Sequence, residues 1–259
     1  ALLLRHRPED LGLQPDGVAS LPEPGPGPAG GGETASLKAT AAEERSLTPR
    51  AALRGSAFWW MTVAFFLNTI ALGGLSVHLI PFLTDHGYDG SFAASMLGLV
   101  GILALPGRLV FTMLGEKLPR SLLAACLFSL QTVSLVVLLL TANSTGGVIA
   151  FVIIFGIGFG AITPARAALV ADFYGRRHYA TINSVLAFFA TAARAAGPFA
   201  VGLAFDTIGN YKPAFWTLAA ISGVAVISIV IAENKRPTHQ EVTSSLPAVP
   251  PELDQLKVE

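Results

Sequence analysis

The sequence predicts an all-α membrane protein, a bundle of six transmembrane helices, and three observations lead to that fold class. First, only 13 of the 178 residues from Gly55 to Ala232 are charged, whereas soluble domains carry roughly 25% charged residues. Second, the uncharged intervals are long enough for membrane crossings, which need about 20 apolar residues each. Third, these runs are continuously apolar, whereas the strands of a membrane β-barrel alternate. A soluble enzyme is therefore excluded, and a net charge of zero gives no indication of nucleic-acid binding.

The spans follow from the charge-free intervals in chain order. The interval between Arg54 and Asp85 holds one crossing. The interval between Arg120 and Arg166 contains 45 uncharged residues, too many for one crossing, and the polar run at 141–147 divides it into two. The six expected spans are Ala57–Leu83, Phe92–Leu114, Ser121–Thr141, Gly147–Asp172, Tyr179–Phe205 and Pro213–Ala232.

Two polar segments flank the bundle, which we expect to occupy residues 51–234. Residues 1–50 are rich in Gly and Pro, and they predict a largely disordered linker because they cannot bury enough apolar surface to offset their conformational entropy. Residues 235–259 predict a disordered tail for the same reason. Where the linker meets the bundle, Thr48–Arg54 predicts a short basic helix at the membrane surface, with Pro49 in its first turn.

Lysines and arginines near the span ends predict the orientation, because cytoplasmic loops carry an excess of both. Nine such residues collect on one side, and Lys212 alone lies on the other. Both termini are therefore expected in the cytoplasm, and the loops at 84–91, 142–146 and 206–212 outside. The nine are Arg45, Arg50, Arg54, Lys117, Arg120, Arg176, Arg177, Lys235 and Arg236.

No grouping of residues predicts catalysis, a cofactor or a metal ion, so we expect no enzyme activity. Gly156–Ala161 fits the letters of a dinucleotide-binding motif, but that motif needs a preceding strand, and these residues lie in an apolar helix. Gly156 and Gly160 instead predict a small-residue face for close helix packing. Cys126, the one cysteine, lies in an apolar run and excludes a cysteine-rich metal site.

Arg194 is the first candidate for substrate binding. It is the sixteenth residue of the fifth span, near the membrane midplane, where a cation costs at least about 2.5 kcal/mol. Two interpretations stay open. Arg194 either donates hydrogen bonds to the carbonyls of a neighbouring helix, or faces an aqueous cavity and contacts an anion. Pro198 follows it and frees a backbone carbonyl close to Arg194.

Uncharged polar residues supply the other substrate-binding candidates. Asn68, Ala71, Leu75 and His78 share one face of the first span, and that face is expected to line a cavity. His78 has an alternative role as a hydrogen-bonded anchor at the membrane interface. Gln131, in the middle of the third span, either contacts the substrate or joins neighbouring helices.

A mixed-sign group of charges near the cytoplasmic end predicts a gate. Arg108 and Arg166 lie about six residues inside the second and fourth spans, where their side chains can reach the cytoplasmic surface. We expect a closing charge network there, and the alternative is a set of simple positive-inside anchors. The proposed gate residues are Arg108, Glu116, Lys117, Arg166 and Asp172. Since no Asp or Glu lies deeper than a span end, proton coupling would require His78 or residues outside this chain.

Four stretches resemble the major facilitator superfamily. Gly107–Arg120 resembles the family's signature loop between helices 8 and 9, with Glu116 in the place of the usual Asp. Thr163–Gly175 and Ala193–Pro198 look like helices 10 and 11 of bacterial members, and Arg5–Leu13 resembles the start of the central cytoplasmic loop. The chain is therefore similar to a C-terminal half, helices 7–12, nearest the monocarboxylate and oxalate/formate carriers.

The resemblance implies a function and its partners. Members of this family have two six-helix halves that hold a substrate at mid-membrane and rock to alternate its access. We therefore expect secondary or facilitative transport of a small organic, anionic solute, with protons as a second candidate substrate. The implied location is a bacterial plasma membrane, and the implied partners are lipid and a missing N-terminal half. The alternative is a self-contained six-helix channel or structural subunit that acts as an oligomer.

Overall fold

The computed structural model describes residues 47–115 and 117–237. These ranges form helices joined by short turns, and the bundle is entirely α-helical, as predicted. The expected disordered linker and tail lie almost wholly outside the described residues. The helices are α1 (Pro49–Arg54), α2 (Ser56–Asp85), α3 (Gly90–Gly115), α4 (Arg120–Thr141), α5 (Thr145–Tyr174), α6 (Tyr179–Ile208) and α7 (Tyr211–Asn234).

Helices α2 to α7 are each long and apolar enough to cross a membrane. Their bounds agree with the six expected spans to within three residues at every end. The short basic helix is also confirmed: α1 begins at Pro49, and the Thr48 hydroxyl accepts a hydrogen bond from the backbone amide of Ala51. A side-chain acceptor at the N-cap and a proline at the first helical position are common helix-start signals.

Local chemistry also explains the sharp turns between the spans. The α6 helix ends at Ile208 because Gly209 adopts a φ of 71°, a left-handed conformation that glycine tolerates. Asn210 then starts α7 by accepting a hydrogen bond from the amide of Lys212. Ahead of α3, the Asp89 carboxylate accepts bonds from the hydroxyl and amide of Ser91, and these bonds hold its pKa below the usual range.

The helices pack as a curved row in the order α6, α2, α7, α4, α5, α3. Helices α3 and α6 stand at its two ends and are the least buried of the six. We call the end of the bundle where α2 begins and α7 ends the basal end, and the other the distal end. One apolar core lies at each end, with Phe82 and Phe215 stacked distally and Phe65 against Phe128 basally.

Glycines allow two of these helix pairs to approach very closely. A Cβ at Gly160 would overlap the carbonyl of Ala104, and one at Gly107 would overlap the carbonyl of Ile157. The pair α2 and α6 meets in the same way, where a Cβ at Gly197 would overlap the carbonyl of Ile70. The predicted close packing along the Gly156 and Gly160 face is therefore confirmed, and this face contacts α3.

Candidate functional site

A cavity of about 760 Å³ lies among α2, α3, α5 and α6. Its size falls within the roughly 300–1,000 Å³ of small-molecule sites. Apolar side chains form much of its wall, and hydroxyl and guanidinium groups supply the polarity. The polar lining side chains are Thr69, Ser76, Arg108, Thr163, Arg166, Thr191 and Arg194.

Arg194 lines this cavity from the middle of α6. In the described part of the chain its guanidinium has no hydrogen bond to a neighbouring carbonyl, so the first of the two interpretations from the sequence does not apply. The carbonyl that Pro198 frees belongs to Arg194 itself, and it lies against Gly73 of α2, where a Cβ would come within 3.1 Å. The structure therefore favours the cavity-facing interpretation.

Arg108 is hydrogen-bonded to a neighbouring helix and lines the cavity. Its Nε donates a hydrogen bond of 3.1 Å to the carbonyl of Gly160, which lies near the middle of α5. Close packing of α3 on Gly160 brings the carbonyl within reach.

Arg166 completes a group of three cations on three helices. It lines the same cavity as Arg194, and two like charges in one cavity repel each other. Among the described residues, neither Asp nor Glu lines this cavity. In the described ranges, none of the three guanidinium groups forms an ion pair. The cavity therefore carries uncompensated positive charge.

The described residues of the predicted gate do not form one network. Asp172 instead pairs with Arg236: Nη2 lies 3.0 Å from its Oδ2 and donates to its backbone carbonyl at 2.9 Å. Arg236 also lies over the Phe173 ring, 5.0 Å from the centroid. Arg108 and Arg166 line the cavity, Lys117 is exposed on the turn after α3, and Glu116 lies outside the described residues. The gate therefore stays a prediction.

Arg236 is the contact that sequence reasoning missed. It contributed only to the count of cytoplasmic cations, because 64 residues separate it from Asp172. We predict that a double-mutant cycle of Asp172→Asn and Arg236→Gln gives a coupling of about 0.2–1 kcal/mol, as for other half-exposed ion pairs. Thermal unfolding in detergent measures it. Lys235→Gln removes a neighbouring charge that forms no ion pair with the described residues. A loss of stability in Lys235→Gln as large as that in Arg236→Gln would show that the pair contributes nothing.

Asn68 and Gln131 lie inside the bundle and not on the cavity wall. Both are buried, and none of their amide nitrogen and oxygen atoms has a hydrogen-bond partner in the described structure. The Gln131 side chain packs near Gly158 of α5. The expected cavity-lining face of α2 is therefore wrong, and the face with Thr69, Gly73 and Ser76 lines the cavity instead.

We predict that Asn68→Leu raises the thermal stability of the protein. An unpartnered buried amide costs about 1–3 kcal/mol, and leucine has nearly the same size. Gln131→Met should behave alike. Uptake should be unchanged if neither amide contacts the substrate. The comparison variant is Thr132→Val, which removes a hydrogen bond of 2.9 Å to the Ser222 hydroxyl and should lower the melting temperature. A destabilised Asn68→Leu would show that this amide has an important partner.

His78 takes the anchoring role that the sequence left open. Its Nε2 lies 3.1 Å from the carbonyl oxygen of Pro198, and its ring packs against Tyr211 with centroids 5.4 Å apart. It is absent from the cavity lining. The sequence analysis did not identify the hydroxyl side chains that line the cavity. For the face of α2 that carries Thr69 and Ser76, the available signal was Gly73, which lies opposite Arg194.

The fold and the cavity together define a class of protein: a multi-pass membrane protein with a polar cavity between its spans, typical of transport proteins. The family model described as Major Facilitator Superfamily matches residues 3–198 and 110–255. The chain belongs to the major facilitator superfamily, whose members are membrane transporters.

Two relatives agree with this family. "Monocarboxylate transporter 13" of Bos taurus is 29% identical over 181 residues, which cover 67% of this chain and 42% of the relative. "Uncharacterized MFS-type transporter YcxA" of Bacillus subtilis (strain 168) is 26% identical over 151 residues, 56% of this chain and 36% of the relative. The chain thus matches less than half the length of either. Its bacterial origin and its branch within the family stay predictions.

Proposed function

We propose that this chain is the C-terminal half of a carrier that moves a small organic anion across a plasma membrane by alternating access. The observation that carries the proposal is the group of three arginines, Arg108, Arg166 and Arg194, around one cavity whose described lining contains no carboxylate. A cation within a span costs at least about 2.5 kcal/mol. Three of them facing one cavity are best explained by an anionic ligand that offsets this cost.

Neutral donors in the same cavity support an anion. The hydroxyls of Ser76 and Thr163 have no hydrogen-bond partner among the described residues, so both are available to donate. The hydroxyls of Thr69 and Thr191 already donate to carbonyls of their own helices. Guanidinium and hydroxyl donors together match the acceptor oxygens of a carboxylate or a phosphate.

The exposed faces at the ends of the helix row support a second half. Met113 of α3 is 68% exposed and Phe199 of α6 is 73% exposed. A six-helix partner across the open side would cover part of these helices and close the cavity between two halves.

We place both termini in the cytoplasm, on the excess of Lys and Arg at the basal end. Glu116 and Lys117, between α3 and α4 in the sequence, are our candidates for closing that end.

Coupling to protons would use a group outside the cavity lining described here. The lining residues that the structure describes include neither a carboxylate nor an imidazole, and His78 is hydrogen-bonded to a backbone carbonyl. A proton-coupled mechanism therefore requires His78 to exchange that bond, or a titratable group in the other half.

Uptake by the full-length protein in proteoliposomes tests the proposed function. The paired probes are radiolabelled butyrate and butyramide, which match in size and differ in charge, and protein-free liposomes give the background. We expect saturable uptake of the anion above background and none of the amide. Uptake of butyramide as fast as that of butyrate would overturn an anion carrier. An ion current without saturation would instead support the channel alternative.

A further inference from the structure

We infer that the cavity binds a doubly charged anion, a dicarboxylate or a phosphate monoester, in preference to a monocarboxylate. The inference rests on the proposed function and deepens it. The observations that carry it are the number of cations, their position on different helices, and the apolar lining of the same cavity.

The number of cations exceeds what a single negative charge can compensate. Arg166 and Arg194 line one cavity, where their like charges repel, and Arg108 adds a third positive charge from another helix. A monocarboxylate would leave two net positive charges in the cavity, whereas a dianion would leave one. Electrostatic complementarity of this kind determines which ligand a site selects.

Arg108 is held ready for a second anionic group. Because its Nε is engaged by the Gly160 carbonyl, the side chain is oriented while both terminal nitrogens stay available to a ligand. A planar guanidinium with two free nitrogens binds a carboxylate or a phosphate through paired hydrogen bonds. Its orientation before the ligand arrives reduces the entropy lost on binding.

The cations stand on separate helices around a cavity that also has an apolar lining. Arg108 belongs to α3 and Arg194 to α6, the two helices at opposite ends of the row. Phe65, Leu72 and Phe159 contribute apolar lining. This arrangement suits a short hydrocarbon chain with an anionic group at each end, or a small alcohol esterified to phosphate.

Competition for the uptake of radiolabelled butyrate by the full-length protein in proteoliposomes at pH 7.5 tests the inference. The unlabelled competitors are succinate, propyl phosphate, butyrate and butyramide. A second charge-assisted hydrogen-bonded pair is worth about tenfold or more in affinity. We therefore expect succinate or propyl phosphate to compete about tenfold or more better than butyrate, and the better of the two identifies the anionic group. If butyrate competes as well as both dianions, the preference for a dianion is overturned and an anion carrier remains. If butyramide competes as well as butyrate, the proposed function itself is overturned.

A matched pair of variants tests the role of Arg108. Arg108→Gln should reduce the preference for the dianion over butyrate to near parity. The control is Arg120→Gln. Like Arg108, Arg120 donates a hydrogen bond to a backbone carbonyl of α5, that of Ala168, but it is not among the described residues that line the cavity. The ratio of the two affinities is the readout, because partial misfolding lowers both uptakes together. An unchanged ratio in Arg108→Gln would overturn this assignment.

Discussion

Arg194→Ala is expected to abolish uptake of the anion while the protein still inserts into the membrane. The substitution removes one of three cavity cations in the middle of a span. A hydrogen bond to a charged group contributes about 1.5–3 kcal/mol, which corresponds to a loss of about tenfold to a hundredfold in affinity. Loss of orientation at the substrate lowers transport further. Insertion should persist because alanine suits an apolar helix.

Two further variants separate this effect from a general loss of charge. Arg194→Lys keeps the charge but not the paired donors, so it should retain part of the uptake. Arg176→Ala removes an exposed arginine on the turn after α5 and should transport normally. Membrane fractionation and uptake in proteoliposomes measure both properties. Normal uptake by Arg194→Ala would reject Arg194 as a substrate ligand.

Gly160→Ala is expected to destabilise the bundle strongly, although it adds only one methyl group. In an unconstrained helix this change stabilises by roughly 0.5–1 kcal/mol. Here the new Cβ would overlap the backbone carbonyl of Ala104, and a backbone cannot move aside as a flexible side chain can. Overpacking costs typically 1–3 kcal/mol and occasionally more. We expect the upper end of that range, because α3 must separate from α5.

The same variant should also impair the cavity, because the Gly160 carbonyl holds Arg108 in place. Thermal unfolding in detergent, together with uptake, measures both effects. Gly146→Ala is the matched control: it lies on the same helix, and its Cβ would meet only the Ser144 hydroxyl at an ordinary 3.8 Å. An equal change in melting temperature for the two variants would contradict close packing at Gly160.

The spans were predictable because the membrane requires a long, nearly uncharged segment for each crossing. That requirement acts on every residue of a segment, so the predicted ends agree with the structure to within three residues. Arg194 was predictable as a candidate for the same reason, since a cation in mid-span must have a special environment. The sequence also predicted that Gly160 lies on a close-packing face, but it did not predict that the helix packed there is α3, through Ala104.

The rotation of each helix about its axis was not predictable from its composition. Thr69 and Asn68 are adjacent in sequence, yet Thr69 lines the cavity while Asn68 is buried in the bundle. The span containing them is apolar on every side, so no periodic pattern distinguishes a cavity face from a packed face. Glycines and neighbouring side chains, and not local sequence, set this rotation.

The sequence alone determined that this chain crosses a membrane six times, because the cost of burying charge in lipid leaves a signal that is local and additive. Only the tertiary structure decided which polar groups meet. It brought Arg108 to the carbonyl of Gly160 and Asp172 to Arg236, over separations of 52 and 64 residues. Such contacts depend on which helix faces pack together, and pairwise packing leaves little trace in a uniformly apolar sequence.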